Sequence, residues 1–374
     1  MRRVAMRKAM FAWHHVAEHA GTLKSEATPT LSTTSRLPVI SPVEELAVAG
    51  ILDEARAREP ADLVNFGALG NVYAVAMGKG GVGKTSTAAN VGGLVASGGH
   101  RVLIVDLNGQ GNIARNLGFG ADEQLNDKGM NLSKAVIYGD PLTPLKDVRP
   151  NLDVAPGGLH IRDITSALMQ RASGGEATLL VFLSLARAIA PIAANYDFIM
   201  IDSPPENPFL MKLAIAASRF TLAPMNGDLA SQDGLVELGD AFKEVRRHYN
   251  PYVVLLGVFL FSSAKGSTNI RAAFRKDVEK SLGGAAPVLQ SFIRTAESVA
   301  IDLRRFGVLA HELEKEVKNN PSRYAVQKGK TTVPYVSTAA IGVADDFQKL
   351  TVEILTLSAQ KRQQMQDEEK WPWP

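Results

Sequence analysis

The chain of 374 residues contains no cysteine. That single absence excludes disulfide frameworks, thiolate nucleophiles, iron–sulfur ligation and cysteine-built zinc sites. Long hydrophobic runs are missing too. The longest, Tyr252 to Phe261, holds ten residues including a glycine; it is about half of what a membrane-spanning helix needs, and it reads as a buried strand. Tryptophan is scarce, and Trp13, Trp371 and Trp373 all fall in the terminal segments. Tails that fold back on apolar surface and tails that meet a partner are both open readings. Neither sign of charge dominates: the formal net charge is +3, and such a total gives no hint of nucleic acid, although it can hide an uneven distribution. The basic N-terminus (Arg2, Arg3, Arg7, Lys8) lacks a continuous apolar stretch and a small-residue cleavage site. No secretory signal is expected there, and a cytoplasmic protein is expected.

What is present is an ordinary globular composition, 45% hydrophobic and 21% charged, in a chain long enough for one large α/β domain or two modest ones. Residues 1–40 read as a flexible extension rich in Ser, Thr and Pro towards its end. Residues 41–70 read as a helix and linker, because Ser41-Pro42-Val43-Glu44 supplies a cap, a first-turn proline and a capping-box acid. From Asn71 short apolar strands alternate with longer helical stretches, the pattern of parallel βαβ units. The expected strands are Val72–Met77, Arg101–Val105, Leu152–Ala155, Phe198–Ile201, Phe220–Ala223 and Val253–Phe261. A helix near Ala344–Leu357 closes a domain spanning 71–358, and residues 359–374 form a polar tail.

Gly78-Lys79-Gly80-Gly81-Val82-Gly83-Lys84-Thr85 satisfies G-x-x-x-x-G-K-S/T directly after an expected strand, and Ser86 onward reads as helix. The glycines let backbone N–H groups approach phosphate oxygens, and the helix N-terminus adds its positive dipole end. Lys84 is placed to neutralise β- and γ-phosphate charge and Thr85 to hold Mg²⁺.

The second lysine narrows the reading. Lys79-Gly80-Gly81-Val82-Gly83-Lys84-Thr85-Ser86 resembles the deviant Walker A loop, K-G-G-x-G-K-T-S/T, of the ParA/MinD family of ATPases. Arg101 to Asn112 resembles the family's second motif, V-L-x-x-D-x-D-P-Q-G-N, and Tyr196 to Pro205 its Walker B, Y-D-x-I-x-I-D-x-P-P. Pro224-Met225-Asn226 followed by Gly234-Leu235 is similar to P-x-Q-x(7)-G-L, and Ser291-Phe292-Ile293-Arg294 with Glu297, and Tyr335-Val336, resemble more weakly the closing motifs of the partition proteins. The likeness extends from about Val72 to Leu357. It implies a doubly wound, mostly parallel α/β fold of the P-loop class with ATP and Mg²⁺ at the strands' C-terminal edge. It also implies a dimer sandwiching two nucleotides, with Lys79 reaching the partner's phosphates, Asp202 holding Mg²⁺ through water, and Pro224, Met225 and Asn226 lining the adenine.

One departure falls at the catalytic position. Where the family's second motif carries a second acid, this chain has Asn108, followed by Gly109 in place of proline, while Asp106 remains. An amide can orient a water but cannot take its proton, so slow hydrolysis is expected. A long-lived ATP dimer and a switch that needs a partner to complete its site are both open. Residues 241–310 hold eleven Lys/Arg against five acids, which leaves the rest of the chain at −3. In partition ATPases the DNA surface lies in this C-terminal part. By that resemblance Arg271, Arg275, Arg294, Arg304 and Arg305 are the DNA candidates, although Arg275 and Glu279 could simply pair on a helix. The resemblance therefore implies ParA-type partitioning: an ATP-dependent homodimer binds DNA nonspecifically and is nucleoid-associated in that state, with a ParB-like centromere-binding partner stimulating hydrolysis. The alternative is a MinD-like or scaffold-positioning switch with weak or no hydrolysis. Membrane attachment ranks lower, because the closing segment is rich in glutamine and then acidic rather than basic and amphipathic.

Overall fold

The structure, a computed structural model, describes residues 59–370 apart from 175–176, 206, 228, 264–267, 285, 323, 325–327 and 329–332. The helix expected over 41–58 and the terminal tryptophans lie outside the described residues.

After one helical turn, α1 (Pro60–Leu63), the chain forms β1 (Val72–Val75), α2 (Lys84–Ser97), β2 (Val102–Asp106), α3 (Asn112–Asn116) and α4 (Met130–Tyr138). A hairpin of β3 (Leu145–Arg149) and β4 (Leu152–Ala155) precedes α5 (Arg162–Ser173), α6 (Thr178–Phe182) and α7 (Ser184–Ala193). Then come β5 (Phe198–Asp202), α8 (Pro208–Ala216), β6 (Phe220–Met225), α9 (Leu229–His248), β7 (Val254–Ser263) and α10 (Thr268–Leu282). The chain closes with β8 (Val288–Arg294), α11 (Glu297–Phe306), α12 (Ala310–Val317) and α13 (Ala340–Asp367).

The strands form one sheet in the order β3-β4-β2-β5-β1-β6-β7-β8. Neighbours are parallel throughout, except that β3 runs antiparallel to β4. Helices α2, α12 and α13 cover one face, and α4, α5, α7, α8 and α9 the other. Every residue of β1, β2 and β5 is buried, which is why these strands read as continuous apolar runs rather than alternating ones. The exceptions are the last residues of β2 and β5, Asp106 and Asp202, which are register partners. Both acids therefore sit at the C-terminal edge beside β1, where an open α/β sheet places its ligands.

All six expected strands are present, and the structure adds β3 and β8 at the two edges. Leu145–Arg149 is mainly solvent-facing and has no apolar run to betray it. The closing helix is a correction: it begins at Ala340 and continues through the expected polar tail to Asp367. Glutamine is a good helix former, and within this stretch Arg362 and Met365 are buried, Arg362 donating to the carbonyl of Gly70 at 2.5 Å. Among the described residues no helix is long and apolar enough to cross a membrane.

Candidate functional site

The phosphate loop joins β1 to α2. Gly83 adopts φ 87°, and the ring of Phe261 lies so close that a Cβ at this position would come within 2.3 Å of it. Only glycine satisfies both constraints. Lys84 is 5% exposed, and its Nζ donates to the carbonyls of Met77 at 2.9 Å and Lys79 at 2.7 Å, so the lysine lies along its own loop. Lys79 is half-buried, and Gly234 of α9 approaches it closely, a Cβ built there lying 3.4 Å from Lys79 Cβ. The glycine of the expected G-L pair thus has a packing reason.

Thr85 Oγ1 donates to Asp202 Oδ2 at 2.6 Å, while Asp202 Oδ1 is buried without a hydrogen-bond partner. Burial, and then the neighbouring Asp106 carboxylate, raise the Asp202 pKa well above the ordinary range. Burial also pushes Asp106 up to about 7, against amide donors that lower it. A hydroxyl beside a buried carboxylate with an unused oxygen is a donor set that fits a hard, partly hydrated divalent cation such as Mg²⁺.

Asp106 accepts from the backbone N–H of Asn108 at 2.9 Å and of Ile113 at 3.1 Å. Asn108 Oδ1 accepts from the Gln110 N–H at 2.9 Å, and its carbonyl accepts from Gly111 and Gly158. The departure from the acidic motif is therefore built into a tight turn. Gly157 closes on it: a Cβ there would lie 2.6 Å from both Asn108 O and Asp106 Cγ. Sequence reasoning missed Gly157, whose only signal was a Pro-Gly-Gly turn after a strand.

Gly81 to Ser86 and Asn108 line one cavity of about 660 Å³. Its other walls were not foreseen: Pro205, Phe261, Asn112, Arg115 and Asn116, and, from α11, Arg304, Arg305 and Phe306. The three residues expected at the adenine are not among the described lining residues. Pro224 and Met225 are buried in β6 and Asn226 follows them half-buried.

The five arginines assigned to DNA separate. The Arg294 guanidinium makes two 2.6 Å bonds to Asp346, and its backbone N–H makes a third to the same carboxylate, which fastens β8 to α13. Arg275 donates to the carbonyls of Val288 and Leu289, and Arg271 lies over the Phe292 ring at 4.3 Å. Their charge supports packing of α10 on the edge strand. Arg304 and Arg305 are exposed but line the cavity beside the phosphate loop.

Comparison with known proteins agrees with this geometry. A family profile described as an AAA domain matches residues 70–255. The chain is 30% identical over 217 residues to the sporulation initiation inhibitor protein Soj of Bacillus subtilis, spanning 57% of this chain and 80% of Soj. The chain belongs to the ParA/MinD family. It is also 32% identical over 193 residues to the chromosome partitioning protein ParA of Caulobacter vibrioides, covering 50% of this chain and 68% of that one. The fold matches an ATP complex of McdA from Cyanothece with a TM-score of 0.54 at 20% identity, over 65% of this chain and 90% of McdA. As a member of a ParA/Soj-type ATPase family, the chain carries its phosphate loop, Asp106 and Asp202 where that fold concentrates its chemistry.

Proposed function

We propose that this protein is a ParA-type partition ATPase that binds ATP with magnesium, pairs with a second copy when ATP is bound, and then holds DNA without sequence preference. The observation that carries the reading is the pairing of a two-lysine phosphate loop with the Thr85–Asp202 contact at the edge of the sheet. Backbone N–H groups at the start of α2 and the Lys84 charge take the polyphosphate. Thr85 and Asp202 hold the cation, which when bound supplies charge neutralisation at the phosphates. Lys79 serves the partner's nucleotide. Asn108 orients water without accepting its proton, so hydrolysis is slow until a ParB-like centromere-binding protein acts. This working cycle fits a cytoplasmic protein that joins the nucleoid when ATP-bound.

For DNA, the exposed cations of the basic stretch that lie away from the phosphate loop include Arg246 and Arg247 at the end of α9 and Lys276 and Lys280 on α10. Arg246 and Arg247, with Lys243, line a groove of about 1390 Å³ that also reaches the end of α10. Phosphate contacts from such residues supply affinity that falls with salt by a log–log slope of about 0.9 per contact. The test is retardation of arbitrary duplex DNA across a salt series. ATP-loaded protein shifts the DNA, ADP-loaded protein and Lys84→Ala do not, and Arg246→Ala with Arg247→Ala lowers the salt slope. Retardation that is indifferent to nucleotide contradicts the reading, and ATP-dependent binding to anionic liposomes without DNA retardation favours the MinD-like alternative.

A further inference from the structure

We infer that Arg162, the first residue of α5, is a positioning residue for the proposed hydrolysis: its aliphatic stem lies across Gly109 and holds the Asn108 turn in place. This rests on the ATPase reading given above. The backbone does not call for glycine at 109. Gly81, Gly83 and Gly111 in the neighbouring turns adopt positive φ, whereas Gly109 does not, so the conformation that only glycine takes easily is not required there. What fills the space is a side chain. A Cβ built at Gly109 would lie 3.0 Å from Arg162 Cγ and 3.3 Å from its Nε, closer than the roughly 3.5–4.0 Å at which packed carbon atoms sit. The proline that the resemblance places at this position would meet the same stem, so the glycine and the arginine go together.

The chain delivers this arginine from a fixed base. Directly before it Ile161 is fully buried, the His160 N–H donates to the Lys128 carbonyl at 3.1 Å, and the Gly158 N–H donates to the Asn108 carbonyl at 3.0 Å. The turn is thus gripped twice by one segment, by Gly157 against Asn108 O and by the Arg162 stem against Gly109. The aim of the Asn108 amide depends on that grip. Its Oδ1 accepts from the Gln110 N–H and its carbonyl from the Gly111 N–H, and the glycine between is the most mobile link of the turn. Electrostatics does not explain an arginine here. The start of a helix is the positive end of its dipole and disfavours a cation, and among the described residues no hydrogen bond or ion pair holds the exposed Arg162 guanidinium. A long basic side chain can instead act through its stem, with the charged head left in water.

Phosphate release, calorimetric ATP titration and amide exchange on the full chain test this together. Arg162→Ala lowers kcat about tenfold, less than the roughly hundredfold that an ångström of misplacement can cost, while ATP affinity stays native. Arg162→Met keeps an unbranched stem without the charge and turns over as the native protein does. Exchange reads the same turn without catalysis: the Gln110 and Gly111 amides exchange about tenfold faster in Arg162→Ala and at the native rate in Arg162→Met. The losses of turnover in Gly109→Ala and Arg162→Ala do not add in the double variant, because the new methyl group takes the vacated space. The inference is overturned if Arg162→Ala keeps native turnover and exchange, if ATP affinity falls in step with turnover, or if the losses at 109 and 162 are additive. It is also overturned if Arg162→Met behaves as Arg162→Ala while Arg162→Lys behaves as the native protein, which would assign the effect to the charge. A native protein that releases no phosphate contradicts the ATPase reading instead; exchange at Gln110 and Gly111 in the alanine and methionine variants then decides this inference alone.

Discussion

Asn108 is the residue on which the proposed hydrolysis turns. Its amide oxygen is held by the Gln110 N–H and its own N–H by Asp106, so the side chain sits in the position of the missing acid without the acid's charge. Asn108→Asp restores a proton acceptor there, and steady-state phosphate release rises by about a hundredfold, the low end of what a positioned base contributes; unchanged turnover contradicts the assignment. His311 on α12 gives a prediction of another kind. Its Nδ1 is buried without a hydrogen-bond partner, and burial lowers its pKa below the usual 6.5. The unfolded chain then takes up the proton before the folded one does, so stability falls as pH drops below about 6.5 and this part of the loss stops once the folded-state pKa is passed. Denaturant midpoints measured from about pH 7.5 down to about pH 5.5 decline less steeply in His311→Gln than in the native protein. Residues whose function depends on local spacing, such as Lys84, Thr85 and Asp202, were legible in the sequence. Phe261, Arg304 and Phe306 were not, because only the folded chain brings strand β7 and helix α11 over the loop.

Among the elements, the turn after β2 depends on its neighbour after β4. A Cβ at Gly157 would press on Asn108 O, Asp106 Cγ and Asp106 O at 2.6 to 2.7 Å. Gly157→Ala therefore destabilises the protein by about 1–3 kcal/mol and weakens turnover more than nucleotide affinity, as paired thermal melts and phosphate-release assays will show. The buried strands announced themselves by continuous apolar runs, since both of their faces are covered. Strand β3 did not, because an edge strand facing solvent carries polar residues like those of a loop. Helix α13 overran its expected end because its final turns bury residues the pattern took as polar, Arg362 above all, whose guanidinium donates to the carbonyl of Gly70, far away in sequence.

Across the whole molecule, the near-balanced charge conceals a division of labour that the sequence located but did not resolve. The basic stretch over 241–310 exists, yet its arginines serve three purposes. Arg294 and Arg275 fasten the edge of the sheet, Arg304 and Arg305 line the cavity beside the phosphate loop, and Arg246 and Arg247 are exposed away from it. Only the folded chain distinguishes a guanidinium engaged by Asp346 from one free to meet phosphate. Asp346 is 4% exposed, so Arg294→Ala strands a buried carboxylate and lowers stability by on the order of 3 kcal/mol. At a temperature where the variant is folded, its salt slope for DNA stays native; a reduced slope would place Arg294 on the DNA surface after all.

The central claim is that ATP joins two copies of this chain through Lys79. Sedimentation velocity with ATP and magnesium, with ADP and magnesium, and on the Lys79→Ala variant tests it most directly. The account predicts a doubled mass for the native protein with ATP, a monomer with ADP, and a Lys79→Ala protein that binds ATP yet stays monomeric. A native protein that remains monomeric when saturated with ATP, or a Lys79→Ala variant that dimerises as readily as the native chain, would contradict it.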